Sequence, residues 1–304
     1  MKNLSRKAWR RKQIHHFSPT GAISKFTDCP LQFWFYKIAK VEDSSDEKPY
    51  LVFGNALHAA HETALNLKAE GSTLSCFKQE IQTSFNNTFD KLSGKVPNYS
   101  WGKDGKEGHL IMGRSMVSML IDRYDTMPIK PLFVEKEYSL PFEKDILLNC
   151  RIDLVAEFTD DWKATTGQII HKGDILIIDH KSASQKYKPN AVNVSDQLTF
   201  YALVIREVEK IRESGVMFQA FMKYKAPEIQ DYLSTRSNHD VDIITEKMHS
   251  MLKIIDQGIF YPTFKPDVCS FCDYTSLCPS FATEKRRIEY ENELALKQEF
   301  KLSV

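Results

Sequence analysis

The sequence predicts an α/β fold in which a mixed β-sheet is flanked by helices, with further helices added around it. Three observations predict this. Apolar residues recur at helical spacing through much of the first 126 positions. From Phe133 the pattern changes to short runs rich in β-formers and separated by turn signals. A helical stretch at about 192–213 then precedes another strand, Val216 to Tyr224. The centre therefore reads helix, three strands, helix, strand, the order of a mixed sheet with helices packed on it.

The chain opens with Lys2, Arg6, Lys7, Arg10, Arg11 and Lys12. Residues 1–40 carry a balance of +8, with Asp28 their single acid, against −7 for the rest of a chain whose net charge is +1. Such an arm can engage phosphate backbones or serve as a flexible, solubilising tail, and charge alone does not choose between them. Ser18-Pro19 has the residues of a helix start. Amphipathic stretches follow at roughly 20–39, 52–69, 74–92 and 109–126, with Ser93 to Gly108 as a loop. Val134 to Leu140, Leu147 to Phe158 and Asp174 to His180 are the first three strands. A helix over about 240–257 leads into a cysteine-bearing loop, 265–280. No repeat and no Gly/Ser linker interrupts this order. The expected organisation is a flexible basic arm (1–17), one domain (18–282) with a helical insertion at about 65–130, and a charged, exposed C-terminal helix (283–304).

Composition bounds the function. Apolar residues make up 42% and charged residues 27% of 304, as in ordinary soluble proteins. No apolar run is long enough to cross a bilayer, and the basic N-terminus lacks the apolar stretch of a signal peptide. The expectation is a cytoplasmic protein without a membrane partner. No G-x-x-x-x-G-K-[ST] phosphate loop occurs, which excludes an ATP motor of that type.

The strand Ile175–Ile178 is apolar yet runs into Asp179-His180-Lys181. Alternation puts Asp179 and Lys181 on one face. The preceding strand carries Asp153 between apolar neighbours. Two carboxylates on adjacent strands repel each other, and a divalent cation removes that penalty; oxygen-rich sites of this kind suit Mg²⁺ or Mn²⁺. A lysine beside them can orient or activate a water, or stabilise developing phosphate charge. A D-x-K tripeptide alone is a weak signal, but other pieces accompany it. Gly54, His58 and Glu62 are spaced four apart on a helix, as are Gln197 and Tyr201 on the helix after the lysine strand. His61 competes with His58 for a ligand role. Glu135 or Glu137 can approach from the strand before Asp153, although surface placement is the simpler reading. Glu62 and Glu137 are the candidates for a layer outside the ligands.

In this order the pieces resemble the RecB-like branch of the PD-(D/E)XK nucleases, over about Ser18 to Pro279. The resemblance implies a restriction-endonuclease-like core that hydrolyses DNA with Mg²⁺ or Mn²⁺. It implies His58, Asp153 and Asp179 as metal ligands, the backbone carbonyl of His180 completing the site, and Lys181 as the catalytic lysine. Gln197 and Tyr201 would border the site and position Lys181 or the DNA. One departure is Cys150, where the family often has Gly. An exonuclease acting on DNA ends or single strands is the first expectation, alongside repair or recombination proteins. A CRISPR-associated end-trimming nuclease, working with adaptation proteins, is the alternative within the family. A nuclease-derived DNA-binding or scaffold protein without catalysis is the rival outside it.

Six cysteines are present, and in a cytosolic protein such a number points to metal rather than disulfides. Cys269, Cys272 and Cys278 form C-x2-C-x5-C, and Cys29 is the best candidate for a distant fourth ligand. Four thiolates suit a [4Fe–4S] cluster or tetrahedral zinc equally by spacing. The resemblance implies the cluster, acting as a structural clamp between N- and C-terminal parts. Cys76 and Cys150 read as buried small residues. The run Phe33 to Tyr36 reads as core before base-stacking surface.

Overall fold

The computed structural model describes residues 6–41, 48–143, 145–188 and 190–301. Its principal helices are α1 (Arg6–Gln13), α2 (Pro49–Ala69), α3 (Lys78–Ser93), α4 (Gly105–Thr126), α5 (Asp196–Val208), α6 (Asn238–Gln257) and α7 (Glu284–Lys301). The strands are β1 (His16–Phe17), β2 (Ile129–Glu143), β3 (Ile146–Phe158), β4 (Trp162–Lys163), β5 (Ile169–Ile170), β6 (Ile175–Ala183), β7 (Gly215–Met222) and β8 (Glu228–Ser234). Backbone packing groups the chain into two compact units. One combines the chain up to Ser44 with Ser139–Cys150 and everything from Asn238; the other is Ser45–Tyr138 with Arg151–Ser237. The first unit is assembled from three separate stretches, so no linker in the sequence announces it.

The second unit holds the mixed sheet. β3 pairs antiparallel with β6, β6 parallel with β7, and β7 antiparallel with β8, while β2 pairs β3. Strand β7 is buried along its whole length and β6 over Leu176 to His180, as strands covered on both faces must be. Helices α2, α3 and α4 pack their apolar faces into one core with the sheet, including Phe53, Phe85, Phe89, Leu120, Ile178 and Phe221. A Cβ built on Gly113 would lie 1.9 Å from the Phe85 ring, so α3 and α4 approach through that glycine. Helix α5 starts three or four residues later than the sequence suggests. Ser195 caps it, its side chain accepting from Leu198 N–H, and Lys210 in the left-handed region follows its end. β8, and the small β4–β5 hairpin, are additions to the expected strands.

In the first unit β1 runs parallel to the start of β3, Phe17 opposite Leu148. The stretch 20–39 is helical but broken at Cys29, whose backbone is extended (φ −158°, ψ 108°). Pro30 explains the break, because it disfavours helical geometry in the residue before it. Ser18 stands at the N-cap position, without a side-chain capping bond.

The stretch 1–17, expected as a flexible arm, contains helix α1. Lys2 and residues 1–5 lie outside the described residues, but α1 is ordered, with Trp9 and Arg10 buried. Lys7, Arg10 and Arg11 are paired within the unit. Arg10 forks onto Glu291 at 2.9–3.1 Å, and Arg11 binds Asp256 at 2.6 and 2.8 Å and Glu143 at 2.9 Å. The acids that neutralise the arm come from far along the chain. Helix α7 is likewise less exposed than expected, since Arg287 and Glu291 turn inward; residues 302–304 lie outside the described part. Phe33, Trp34 and Phe35 are buried, while Tyr36 is exposed. Phe35 stacks on Tyr274, Trp34 packs on Phe281, and Trp34 Nε1 donates to Glu291 at 2.8 Å.

Glu291 therefore holds two buried donors from the N-terminal stretch. Replacing it by alanine strands the Arg10 guanidinium, a loss of about 3–5 kcal/mol for a buried pair. Urea unfolding of Glu291→Ala checks this; a change below about 1 kcal/mol would show the pair to be immaterial.

Candidate active site

The antiparallel register of β3 and β6 runs from Glu157–Ile175 to Leu154–Ile178. The next residues in line are Asp153 and Asp179, both buried. In place of a further ladder bond, His180 N–H donates to Asp153 Oδ2 at 2.7 Å. The apolar run of β6 anchors these residues in the sheet and delivers two acids side by side.

On one side Asp179 and Lys181 lie together, Nζ 2.6 Å from Oδ2. Gln197 of α5 joins them. Its Nε2 donates to Asp179 Oδ1 at 2.8 Å and to the Tyr201 hydroxyl at 2.8 Å, while its Oε1 accepts from Lys181 at 2.9 Å. The amide can point only this way, because a carboxylate accepts and an ammonium donates. Burial lowers the Lys181 pKa, but the Asp179 charge and hydrogen bond outweigh it, and the net shift is upward. Lys181 is a held ammonium.

His58 of α2 approaches from another direction. Its Nδ1 lies 3.1 Å from Glu135 Oε1 and 3.8 Å from Asp153 Oδ2. Burial depresses its pKa, and the hydrogen bond to Glu135 with the charge of Asp153 more than restores it. His58 Nδ1 thus faces both carboxylates, and a carboxylate bonded to a ring nitrogen fixes the orientation of the imidazole. Side-chain donor atoms of His58, Asp153 and His180 all lie within 4.8 Å of one another. Asp179 is outside that triplet but its charge acts on Asp153 and His58. Burial first, and the charge of Asp179 second, raise the Asp153 carboxyl to about 7. Crowded acids beside free imidazole nitrogen fit a divalent cation.

Three residues fall differently from expectation. Glu62 and Glu137 are exposed, whereas Glu135 meets His58 and also Arg151 Nε at 2.9 Å. Glu135 has φ 45°, so a left-handed residue inside β2 breaks the alternation that would pair it with Glu137. Nothing in the sequence marks such a bulge at a glutamate. His61 is buried and stacks on the His180 ring at 3.9 Å.

Five of the six cysteines are in the first unit, and Cys76 is in the second. Cys29, Cys269, Cys272 and Cys278 are half-buried, and Cys29 Sγ lies 3.8 Å from Tyr261 O. Burial raises Cys278, and the charges of Cys29, Cys272 and Cys269 raise it further. Among the described residues no three cysteine sulfurs lie within 4.8 Å of one another. Cys76 is exposed, not buried as expected, on the short helical turn Leu74–Phe77; Cys150 is half-buried.

A family model described as the PD-(D/E)XK nuclease superfamily matches residues 16–279. The Gene 69 protein of Mycobacterium phage D29 is 24% identical over 274 residues, covering 85% of this chain and 95% of that protein. The Gene 69 protein of phage L5 is 26% identical over 293 residues, covering 85% and 94%. A crystal structure of a candidate exonuclease from Eubacterium rectale aligns over 90% of this chain and 94% of that one, at 11% identity and a TM-score of 0.47. No helix among the described residues is long and apolar enough to cross a membrane.

A carboxyl whose pKa is higher in the folded than in the unfolded state contributes stability at low pH and loses it as pH rises through the folded value. Metal-free protein should therefore unfold more easily than Asp153→Asn at pH 8, by as much as about 4 kcal/mol, and nearly alike at pH 4. Urea titrations with chelator at both values check it; equal stability at pH 8 contradicts the crowding of acids.

Proposed function

The chain belongs to the PD-(D/E)XK nuclease superfamily, whose members use divalent metals, and on that premise we propose a Mg²⁺- or Mn²⁺-dependent deoxyribonuclease acting on DNA ends or single strands. The observation that carries this reading is the Asp179–Lys181–Gln197 group beside Asp153. His58, Asp153, Asp179 and the main chain of His180 would hold the cation. When bound, such an ion neutralises phosphate charge and lowers the pKa of a water. Hydrolysis then forms one phosphorus–oxygen bond from water and breaks another, the leaving oxygen taking a proton. Lys181, held as an ammonium by Asp179, stabilises charge developing on the phosphate and orients the water. Gln197 keeps Lys181 and Asp179 in register, and Tyr201 fixes Gln197.

The cysteines form the second part of the proposal. Four thiolates around zinc, at a Zn–S distance of about 2.3 Å, would stand about 3.8 Å apart. The resemblance to RecB-like nucleases, rather than spacing, favours a [4Fe–4S] cluster over zinc at Cys29, Cys269, Cys272 and Cys278. Its role is structural, adding to the aromatic and Arg10–Glu291 contacts that already join the N- and C-terminal stretches of the first unit.

End-labelled single- and double-stranded DNA, digested with Mg²⁺ and then Mn²⁺, tests the activity. Asp153→Ala, Asp179→Ala and Lys181→Ala should each lower the rate by at least about 100-fold, a removed transition-state contact of this kind being worth about 10²–10³. Wild-type activity in Asp179→Ala would sink the assignment. For the cluster, Cys272→Ala should lose iron and unfold at lower temperature, with Cys76→Ala unchanged. A Cys272→Ala protein that keeps its iron contradicts the cysteine assignment.

A further inference from the structure

The resemblance gives His180 a role through its main chain alone. Resting on the metal-centre reading above, we infer that the His180 imidazole is a second nitrogen ligand, with its tautomer set by a buried chain of hydrogen bonds ending at Arg123 and Asp231.

The chain is best followed from its far end. Arg123 pairs with Asp231, which is fully buried and sits opposite Gln219 in the β7–β8 register. A carboxylate held by a guanidinium can only accept. Gln219, also fully buried, therefore turns its amide nitrogen to Asp231, 3.4 Å from Oδ1. That leaves Gln219 Oε1 facing the Tyr124 hydroxyl, which donates to it at 2.6 Å. A hydroxyl has one hydrogen, so the Tyr124 oxygen can only accept from its other neighbours, His180 Nε2 at 2.7 Å and, at a longer 3.4 Å, His61 Nδ1. His180 thus carries its proton on Nε2 and a bare lone pair on Nδ1.

That Nδ1 is buried, has no hydrogen-bond partner, and lies 3.9 Å from Asp153 Oδ2. A buried polar atom without a partner is expensive, and each such atom in a folded protein calls for an explanation. A cation between His58 and Asp153 supplies one. His58 faces the same acid, its Nδ1 3.8 Å from Asp153 Oδ2 while bonded to Glu135. His61, stacked on the His180 ring at an interplanar angle of 14°, holds its plane. Tyr124, Gln219, Asp231 and Arg123 are then positioning residues, none of which touches the cation. Two imidazoles also predict a stronger preference for a transition ion over Mg²⁺ than the carboxylates alone would give.

Electron paramagnetic resonance of protein loaded with Mn²⁺ alone counts the coordinated nitrogens by their hyperfine coupling. Wild type should show two imidazole nitrogens and His58→Ala one. Tyr124→Phe should also show one, because His180 then gains by moving its proton to Nδ1 and donating to Asp153. A single nitrogen in wild type, absent from His58→Ala, overturns the His180 ligand and leaves the nuclease reading intact. Two nitrogens in Tyr124→Phe overturn the hydrogen-bond chain as the cause. Failure to bind Mn²⁺ overturns both this inference and the metal centre it rests on.

Discussion

Asp153 and Asp179 are buried on neighbouring strands, with the Glu135 side chain close by, and their mutual repulsion organises the surroundings. Each acid receives a different compensation. Asp179 has Lys181 and Gln197, and Glu135 has His58 and Arg151. Asp153 accepts from the His180 N–H, with imidazole nitrogens 3.8 and 3.9 Å away, and burial with the charge of Asp179 raises its pKa. The elements around the site can be understood as devices that keep this arrangement from relaxing. β6 is anchored between β3 and β7, α5 is fixed by its Ser195 cap, and α2 brings His58 within reach. A carboxylate group so placed has little structural use by itself, because burying charge destabilises a fold unless it is neutralised.

Much of this was legible in the sequence. The apolar run Ile175–Ile178 marks a covered strand, and period-two alternation puts Asp179 and Lys181 on one face. Four-residue spacing predicts that Gln197 and Tyr201 meet, as they do at 2.8 Å. What escaped depends on contacts distant in the chain or on irregular backbone. Glu135 reaches His58 because of one left-handed residue inside a strand, for which no pattern exists. The Tyr124–Gln219–Asp231 chain joins α4, β7 and β8, elements whose polar residues look like ordinary surface in one dimension.

The basic N-terminus teaches a related lesson. Its charge suggested phosphate or solvent, yet Arg10 and Arg11 are spent on Glu291, Asp256 and Glu143, residues 132 to 281 positions away. Local charge balance says little when the neutralising acids arrive only on folding. A similar separation is bridged by Phe35 on Tyr274 and Trp34 on Glu291, so the N- and C-terminal stretches are joined by packing as well as by charge.

The central claim is that the crowded acids are stable together because a divalent cation sits among them. Calorimetric titration of Mn²⁺ into the metal-free protein tests this most directly. The account predicts saturable binding in wild type that disappears in Asp153→Asn, although the variant folds. Binding of equal affinity in both proteins, or in neither, would contradict it.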